Sequence, residues 1–150
     1  MKMNRFNVRG YMLVIQEGCL LLSDEVLQGD YATKFPGGGL EYGEGLIECI
    51  LREAQEELGQ EVEILNHFYT TDFCQPSVFR PEDQMISVYY TAKLKSEQTF
   101  HTSEKPFDFV RFEEREEAFR WKKINDLLPS EMTFPIDQVV VRMLRETHLK

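Results

Sequence analysis

The chain has 150 residues, enough for one domain of ordinary size with a single substantial core. Apolar residues make up 42% and aromatics 12%, which a packed globule needs, so wholesale disorder is excluded. A formal net charge of −9 argues against a nucleic-acid polymer or an anionic membrane held by a general field, and lets the chain act on phosphates only where cations neutralise the site.

The elements follow in chain order. Phe6 to Ile15 reads as a strand, Glu17-Gly18 as a turn and Cys19 to Leu22 as the returning strand of a hairpin. No apolar run is longer than strand size, and Met1 to Arg5 leads into alternating sequence without a secretory h-region. A polar stretch through Gln28-Gly29-Asp30 is followed by Lys34-Phe35 and then Pro36-Gly37-Gly38-Gly39, where the backbone must turn sharply or approach something closely. Gly45 to Leu58 predicts a helix stopped by Gly59. Val62 to Phe73 and Met85 to Leu94 predict strands, with Pro76 to Asp83 as a loop between them. Phe107 to Phe112 is a weaker strand candidate, followed by the acidic run Glu113 to Glu117 and a short strand at Ala118 to Trp121. Pro135 to Leu144 predicts a terminal helix with proline in its first turn.

Strands and two helices interleave without regular βαβ alternation, so the expected class is α+β, a sandwich around a mixed sheet. No repeat or linker divides the chain, so residues 1–150 are expected to form a single domain. Cys19, Cys49 and Cys74 are odd in number and lack a C-x-x-C pair, which predicts buried thiols in a reducing compartment and a cytoplasmic protein.

The helix carries the chemistry. On a wheel, Ile47, Ile50, Leu51, Ala54 and Leu58 form one stripe expected to face the core, with Glu53, Glu56 and Glu57 on the adjoining arc. At about 5 Å and an effective dielectric near 20, each close carboxylate pair costs on the order of 3 kcal/mol. A solvated acidic flank usually offsets this with lysines at i+4, yet Arg52 is the helix's one cation. Hard divalent cations resolve the conflict, because Mg²⁺ prefers carboxylate oxygens. The glycine turn just before the helix can present backbone groups to a phosphate or aim a carbonyl at a metal. Carboxylates and turn together predict a cation-plus-polyphosphate site.

Gly38, five residues, Glu44, seven residues and then Arg52-Glu53-Ala54-Gln55-Glu56-Glu57-Leu58-Gly59 resemble the Nudix box, G-x5-E-x7-R-E-U-x-E-E-x-G-U, where U is a bulky aliphatic. All seven fixed Gly, Glu and Arg positions are present, and chance gives about one such match in a million chains of this length. Ala54 and Gln60 depart from the pattern at its two aliphatic positions, which puts local packing in question and leaves the acidic positions intact.

The resemblance implies a Nudix-like α/β/α sandwich and hydrolysis of a diphosphate bond in a nucleoside diphosphate linked to another moiety, such as a nucleoside triphosphate or ADP-ribose. It implies Mg²⁺ or Mn²⁺ bound by Glu53, Glu56 and Glu57, with the Gly38 carbonyl as an extra ligand. Glu44 and Arg52 would orient those glutamates. The general base would be Glu57 or Glu56, with Glu117 as the outside candidate from a run (Glu113, Glu114, Glu116, Glu117) that also reads as a solvated charge run. A non-catalytic sensor of a nucleotide-like metabolite is the alternative; such members often lose box glutamates, and here all are kept.

Pro76, 16 residues after Gln60, resembles a marker of ADP-ribose-hydrolysing members, although a single loop proline is also an ordinary turn residue. Arg9, Tyr42, Phe73 and Arg80 are candidates to line a pocket for the small diphosphate substrate. His67, His101 and His148 show no spacing for metal ligation, and Trp121 is expected in the core. Many relatives are homodimers, and the aromatic strand residues Phe68, Tyr69, Phe73, Tyr89 and Tyr90 leave core and homodimer interface open as alternatives.

Overall fold

A computed structural model describes residues 2–109 and 116–148. The elements run β1 (Arg5–Gln16), β2 (Cys19–Leu27), β3 (Asp30–Lys34), β4 (Gly37–Gly39), α1 (Leu46–Leu58), β5 (Val62–Thr70), β6 (Asp83–Leu94), β7 (Glu117–Lys123) and α2 (Pro135–His148), with single 3-10 turns at Ile124–Asp126 and Pro129–Glu131 before α2. The chain forms two compact units, one of residues 1–13 and 37–99 and the other of residues 14–36 and 100–150. Among the described residues no helix is long and apolar enough to cross a membrane.

In the first unit β6 lies between β1 and β5. β4 pairs antiparallel with β1 in the register Arg9↔Gly39, Gly10↔Gly38 and Tyr11↔Gly37. The three glycines are thus a short strand held edge-on to β1. Gly37 has φ 147°, and a Cβ there would strike the Gly10 carbonyl, so only glycine fits this close pairing. β5 and β6 pair antiparallel from Val62↔Leu94 to Thr70↔Val88, with two register shifts. β5 ends at Thr70, three residues before the expected end, because Asp72 to Gln75 leave the ladder. Pro76 forms an isolated antiparallel bridge to Gln84 and so closes the base of the 76–83 loop.

The helix α1 begins where expected. The Glu48 carboxylate accepts a hydrogen bond from the Gly45 backbone N–H at 3.0 Å, half of a capping box, and Gly59 ends the helix in the left-handed conformation. Its buried stripe is Cys49, Ile50, Ala54 and Leu58. Ile47 and Leu51, expected in the core, are exposed instead. The stripe is rotated toward Cys49 because α1 packs on a glycine strand, where the small thiol and Ala54 allow close approach. Ile50 Cγ1 would lie 3.1 Å from a Cβ on Gly10.

In the second unit β2 pairs with β7 from Cys19↔Lys123 to Glu25↔Glu117 and with β3 from Ser23↔Lys34 to Leu27↔Asp30. The hairpin turn at Gln28-Gly29 therefore replaces the expected polar stretch, and β2 runs five residues beyond Leu22. Its continuation buries charge: Asp24 is 1% exposed and Glu25 is 6% exposed. Asp24 accepts hydrogen bonds from Arg120 Nε at 2.7 Å and Nη2 at 3.3 Å, from Thr33 Oγ1 at 2.7 Å and from Phe107 N–H at 3.1 Å. Lys34 reaches Glu25 at 3.1 Å. Paired in this way, charges that read as surface residues are accommodated inside.

Residues 107–109 form no strand, and the rest of the expected Phe107 to Phe112 strand, like Glu113 and Glu114, lies outside the described residues. β7 is longer than Ala118 to Trp121, and Trp121 is half-buried in it. Ile136, Val140, Val141 and Leu144 of α2 are buried, and Arg145 Nη1 donates to the Asn125 and Leu127 carbonyls at 2.9 and 2.7 Å.

Candidate active site

The predicted site residues lie in the first unit, on β4, the 40–45 loop and α1, apart from Glu117 on β7. Arg52 is the hub. Its Nε and Nη2 donate to the two Glu44 oxygens at 3.0 and 2.7 Å, a bidentate pair. Nη2 also donates to the Gly39 carbonyl at 3.0 Å, and Nη1 donates to Glu53 at 3.0 Å and to Glu56 at 3.2 Å. Glu41 stands 3.7 Å from Nε. One guanidinium thus offsets part of the repulsion expected on the acidic arc and ties α1 to both β4 and the loop. The same bonds hold the Glu44 carboxyl down at about 2, the hydrogen bond from Arg52 acting first and that from the Glu41 backbone N–H second. They also raise the Arg52 guanidinium far above its ordinary range.

Glu53 and Gly38 are in contact. A Cβ on Gly38 would lie 2.6 Å from Glu53 Cδ, so the carboxylate occupies the space a side chain would take. Glu57 accepts a hydrogen bond from Gly37 N–H at 3.0 Å. Glu56 keeps 57% of its side chain exposed against 13% for Glu53. The arc therefore offers one open and two half-buried carboxylates beside a glycine strand, and every donor is a hard oxygen. That set fits Mg²⁺ or Mn²⁺ and does not fit a soft metal.

Cys49, expected as a buried thiol, is buried against the box. Its thiol lies 3.5 Å from the Gly39 carbonyl, 3.8 Å from that of Gly38 and 3.7 Å from Arg52 Nη2. Burial, and then the Glu44 charge, push it up to about 11. Only the register of α1 on β4 discloses these contacts, since cysteine occupies an unspecified position of the motif. Of the three free cysteines Cys49 is buried, Cys19 is intermediate and Cys74 is exposed, so two of the three expected buried thiols are not buried.

Among the pocket candidates, Arg9 reaches the box: its Nη1 lies 3.6 Å from a Cβ on Gly39. Arg80 is engaged by Glu82 at 2.9 Å and Asp83 at 3.4 Å, Phe73 is 40% exposed, and Tyr42 stands fully exposed at the tip of the 41–44 turn. In the second unit Ser23 Oγ donates to Glu117 at 2.9 Å and to Glu25 at 3.4 Å. The Glu25 carboxyl lies below its ordinary value; burial raises it, and the Lys34 charge with hydrogen bonds from its neighbours outweighs that burial.

Ala54, the first departure from the motif, is buried in the α1 stripe. Gln60, the second, is 7% exposed and polar, yet satisfied. Its Oε1 accepts from Thr99 N–H at 2.8 Å and Thr99 Oγ1 at 3.0 Å, and its Nε2 lies 3.5 Å from Ser96 Oγ and 3.4 Å from the Glu97 carbonyl. A hydrogen-bonded clamp on residues 96–99 takes the place of an aliphatic contact.

The family profile of the NUDIX domain matches residues 3–143. The chain belongs to the Nudix family, the class of pyrophosphohydrolases. It is 36% identical over 97 residues to an RNA pyrophosphohydrolase of Sulfurovum sp. (strain NBC37-1), a match covering 55% of this chain and 60% of that protein's length. A NUDIX hydrolase from Nitrosomonas europaea superposes with a TM-score of 0.70 at 17% identity, over 96% of this chain and 90% of that one. A MutT NUDIX hydrolase from Burkholderia pseudomallei gives 0.69 at 18% identity, over 93% and 98% respectively. These likenesses show the fold, a mixed sheet with two helices in the α/β/α sandwich of the family.

Proposed function

We propose that the protein hydrolyses a diphosphate bond in a nucleoside diphosphate linked to another moiety, such as a nucleoside triphosphate or ADP-ribose, with Mg²⁺ or Mn²⁺. The observation that carries this reading is the set of Glu53, Glu56 and Glu57 held against the Gly37–Gly39 strand by Arg52 and Gly37 N–H. When bound, the cation supplies charge neutralisation at the diphosphate oxygens and lowers the pKa of the attacking water. Glu53, Glu56 and Glu57, with the Gly38 carbonyl, are the ligands that would hold it. Arg52 fixes two of the glutamates, and Glu44 fixes Arg52, so the oxygens are oriented before any ligand arrives. Water adds to phosphorus, the bridging P–O bond breaks, and the water proton passes to a carboxylate. Glu57 or Glu56 takes that role, with Glu117 as the outside candidate.

Residues 1–150 act as one domain in this reading, since the family match crosses both units. The free thiols agree with a reducing cytoplasm. The name of the Sulfurovum relative, an RNA pyrophosphohydrolase, favours a second substrate reading, a diphosphate bond carried by an RNA. A panel of nucleoside triphosphates, ADP-ribose, nucleotide sugars, dinucleoside polyphosphates and a 5′-triphosphorylated oligoribonucleotide tests both, assayed with each metal. Glu56→Gln is expected to lower turnover on the order of 100-fold or more without unfolding the protein. Near-full activity in that variant would remove Glu56 from the metal site. Saturable binding without product across the panel would favour the sensor alternative.

A further inference from the structure

The box carboxylates repel the anionic substrate they are meant to process, and Arg52 is already engaged by four carboxylates and a carbonyl. A side chain other than Arg52 would have to supply any positive charge beside that of the metal. Arg9 pairs with Gly39 across β1 and β4, which places it beside the glycine strand. Gly10 faces Ile50 and Cys49 of α1, so Arg9 and Tyr11 project from the opposite face of β1. There Arg9 Nε donates to Tyr11 Oη at 2.6 Å, and the guanidinium carbon stands 5.7 Å from the centre of the Tyr11 ring. Tyr11 is itself fixed, stacked on Tyr89 at 5.3 Å.

Among the described residues, that bond to Tyr11 is the one hydrogen bond of the Arg9 side chain, which leaves Nη1 and Nη2 as a fork. Glu53 and Glu57 act on its charge from a distance without a hydrogen bond. A guanidinium held by its Nε, with both terminal nitrogens unspent next to a site built for cations, matches the planar geometry of two phosphoryl oxygens. We infer that Arg9 binds the diphosphate of the substrate through Nη1 and Nη2, on the β1 side of the box, as a substrate-positioning residue oriented by Tyr11.

The inference rests on the proposed hydrolase reading, and its test separates the two. Binding of inorganic pyrophosphate is measured by calorimetry, with and without Mg²⁺, for the protein and for Arg9→Gln and Arg9→Lys. Steady-state kinetics follow on whichever panel substrate turns over. Arg9→Gln is expected to weaken pyrophosphate binding and raise KM by roughly 10- to 100-fold, with a smaller change in kcat. Arg9→Lys keeps the charge but loses the fork, so it recovers part of the affinity. Tyr11→Phe frees Nε and gives a smaller rise in KM in the same direction. Titration with Mn²⁺ alone is expected to give equal affinity in all variants.

Pyrophosphate binding that depends on Arg9 in a protein with no turnover would sink the hydrolase reading and keep this one. Failure of the protein to bind pyrophosphate, or equal affinity and KM in Arg9→Gln, overturns it. If Arg9→Gln does not fold, an Arg9→Lys variant with unaltered affinity overturns it as well.

Discussion

Asp24 offers the sharpest test of how the second unit is held together. Its carboxylate is 1% exposed, and each oxygen accepts two hydrogen bonds: Oδ1 from Thr33 Oγ1 and Arg120 Nη2, Oδ2 from Phe107 N–H and Arg120 Nε. In Asp24→Asn the shape is kept, but either orientation of the amide sets an NH₂ against two donors. Arg120, itself 5% exposed, is left charged and without its counter-ion. Breaking one partner of a buried pair costs about 3–5 kcal/mol. The loss of two charge-assisted bonds at about 1.5–3 kcal/mol each gives about 3–6 kcal/mol, an overlapping range. For a chain of this size that is a fall in Tm of roughly 6–20 °C. Urea unfolding followed by Trp121 fluorescence measures it, since Trp121 is half-buried next to Arg120 on β7. Arg120→Met added to Asp24→Asn should cost less than the sum of the two single changes. A loss below about 1 kcal/mol for Asp24→Asn, or strict additivity in the double variant, would refute the buried pair.

Three further expectations concern the box. Gly38→Ala drives a methyl group into the Glu53 carboxylate, so Mn²⁺ affinity, read by electron paramagnetic resonance, should fall about 10- to 100-fold; unchanged affinity would exclude the Gly38–Glu53 contact from the metal site. The Glu44 carboxyl sits at about 2 against an ordinary 4.5, so its pairing with Arg52 stabilises the fold fully above pH 4.5 and is lost as pH falls from 4.5 through about 2. In Arg52→Gln the Glu44 resonance should titrate near its ordinary value and acid unfolding should begin at higher pH; a Glu44 titration still near 2 would assign the shift to another cause. Cys49, buried and pushed up to about 11, should resist alkylation at pH 8 while exposed Cys74 reacts, by peptide mass mapping. Equal labelling rates at the two thiols would contradict the packing of α1 on β4.

The acidic arc, its glycine partner and the helix between them are legible in the amino-acid order because they are local. Periodicity places Glu53, Glu56 and Glu57 on one arc of α1, the spacing of Gly38, Glu44 and Arg52 is a fixed count, and Gly59 marks the helix end. What the order of residues left open depends on contacts distant in sequence. Asp24 and Glu25 lie past the expected end of the returning strand at Leu22, and their burial follows only once Arg120, 96 residues on from Asp24, and Lys34 are brought to them. Ile47 and Leu51 share the apolar periodicity of Ile50, but the glycine strand beneath α1 favours the face with Cys49 and Ala54. Gln60 breaks an aliphatic pattern, and only the approach of residues 96–99 supplies the four polar partners that make its burial tolerable. Arg9 is an ordinary strand arginine in the sequence; only strand pairing sets it opposite Gly39. Burial of a charge or an amide is decided by whether a partner arrives, and the partner is a property of the tertiary structure.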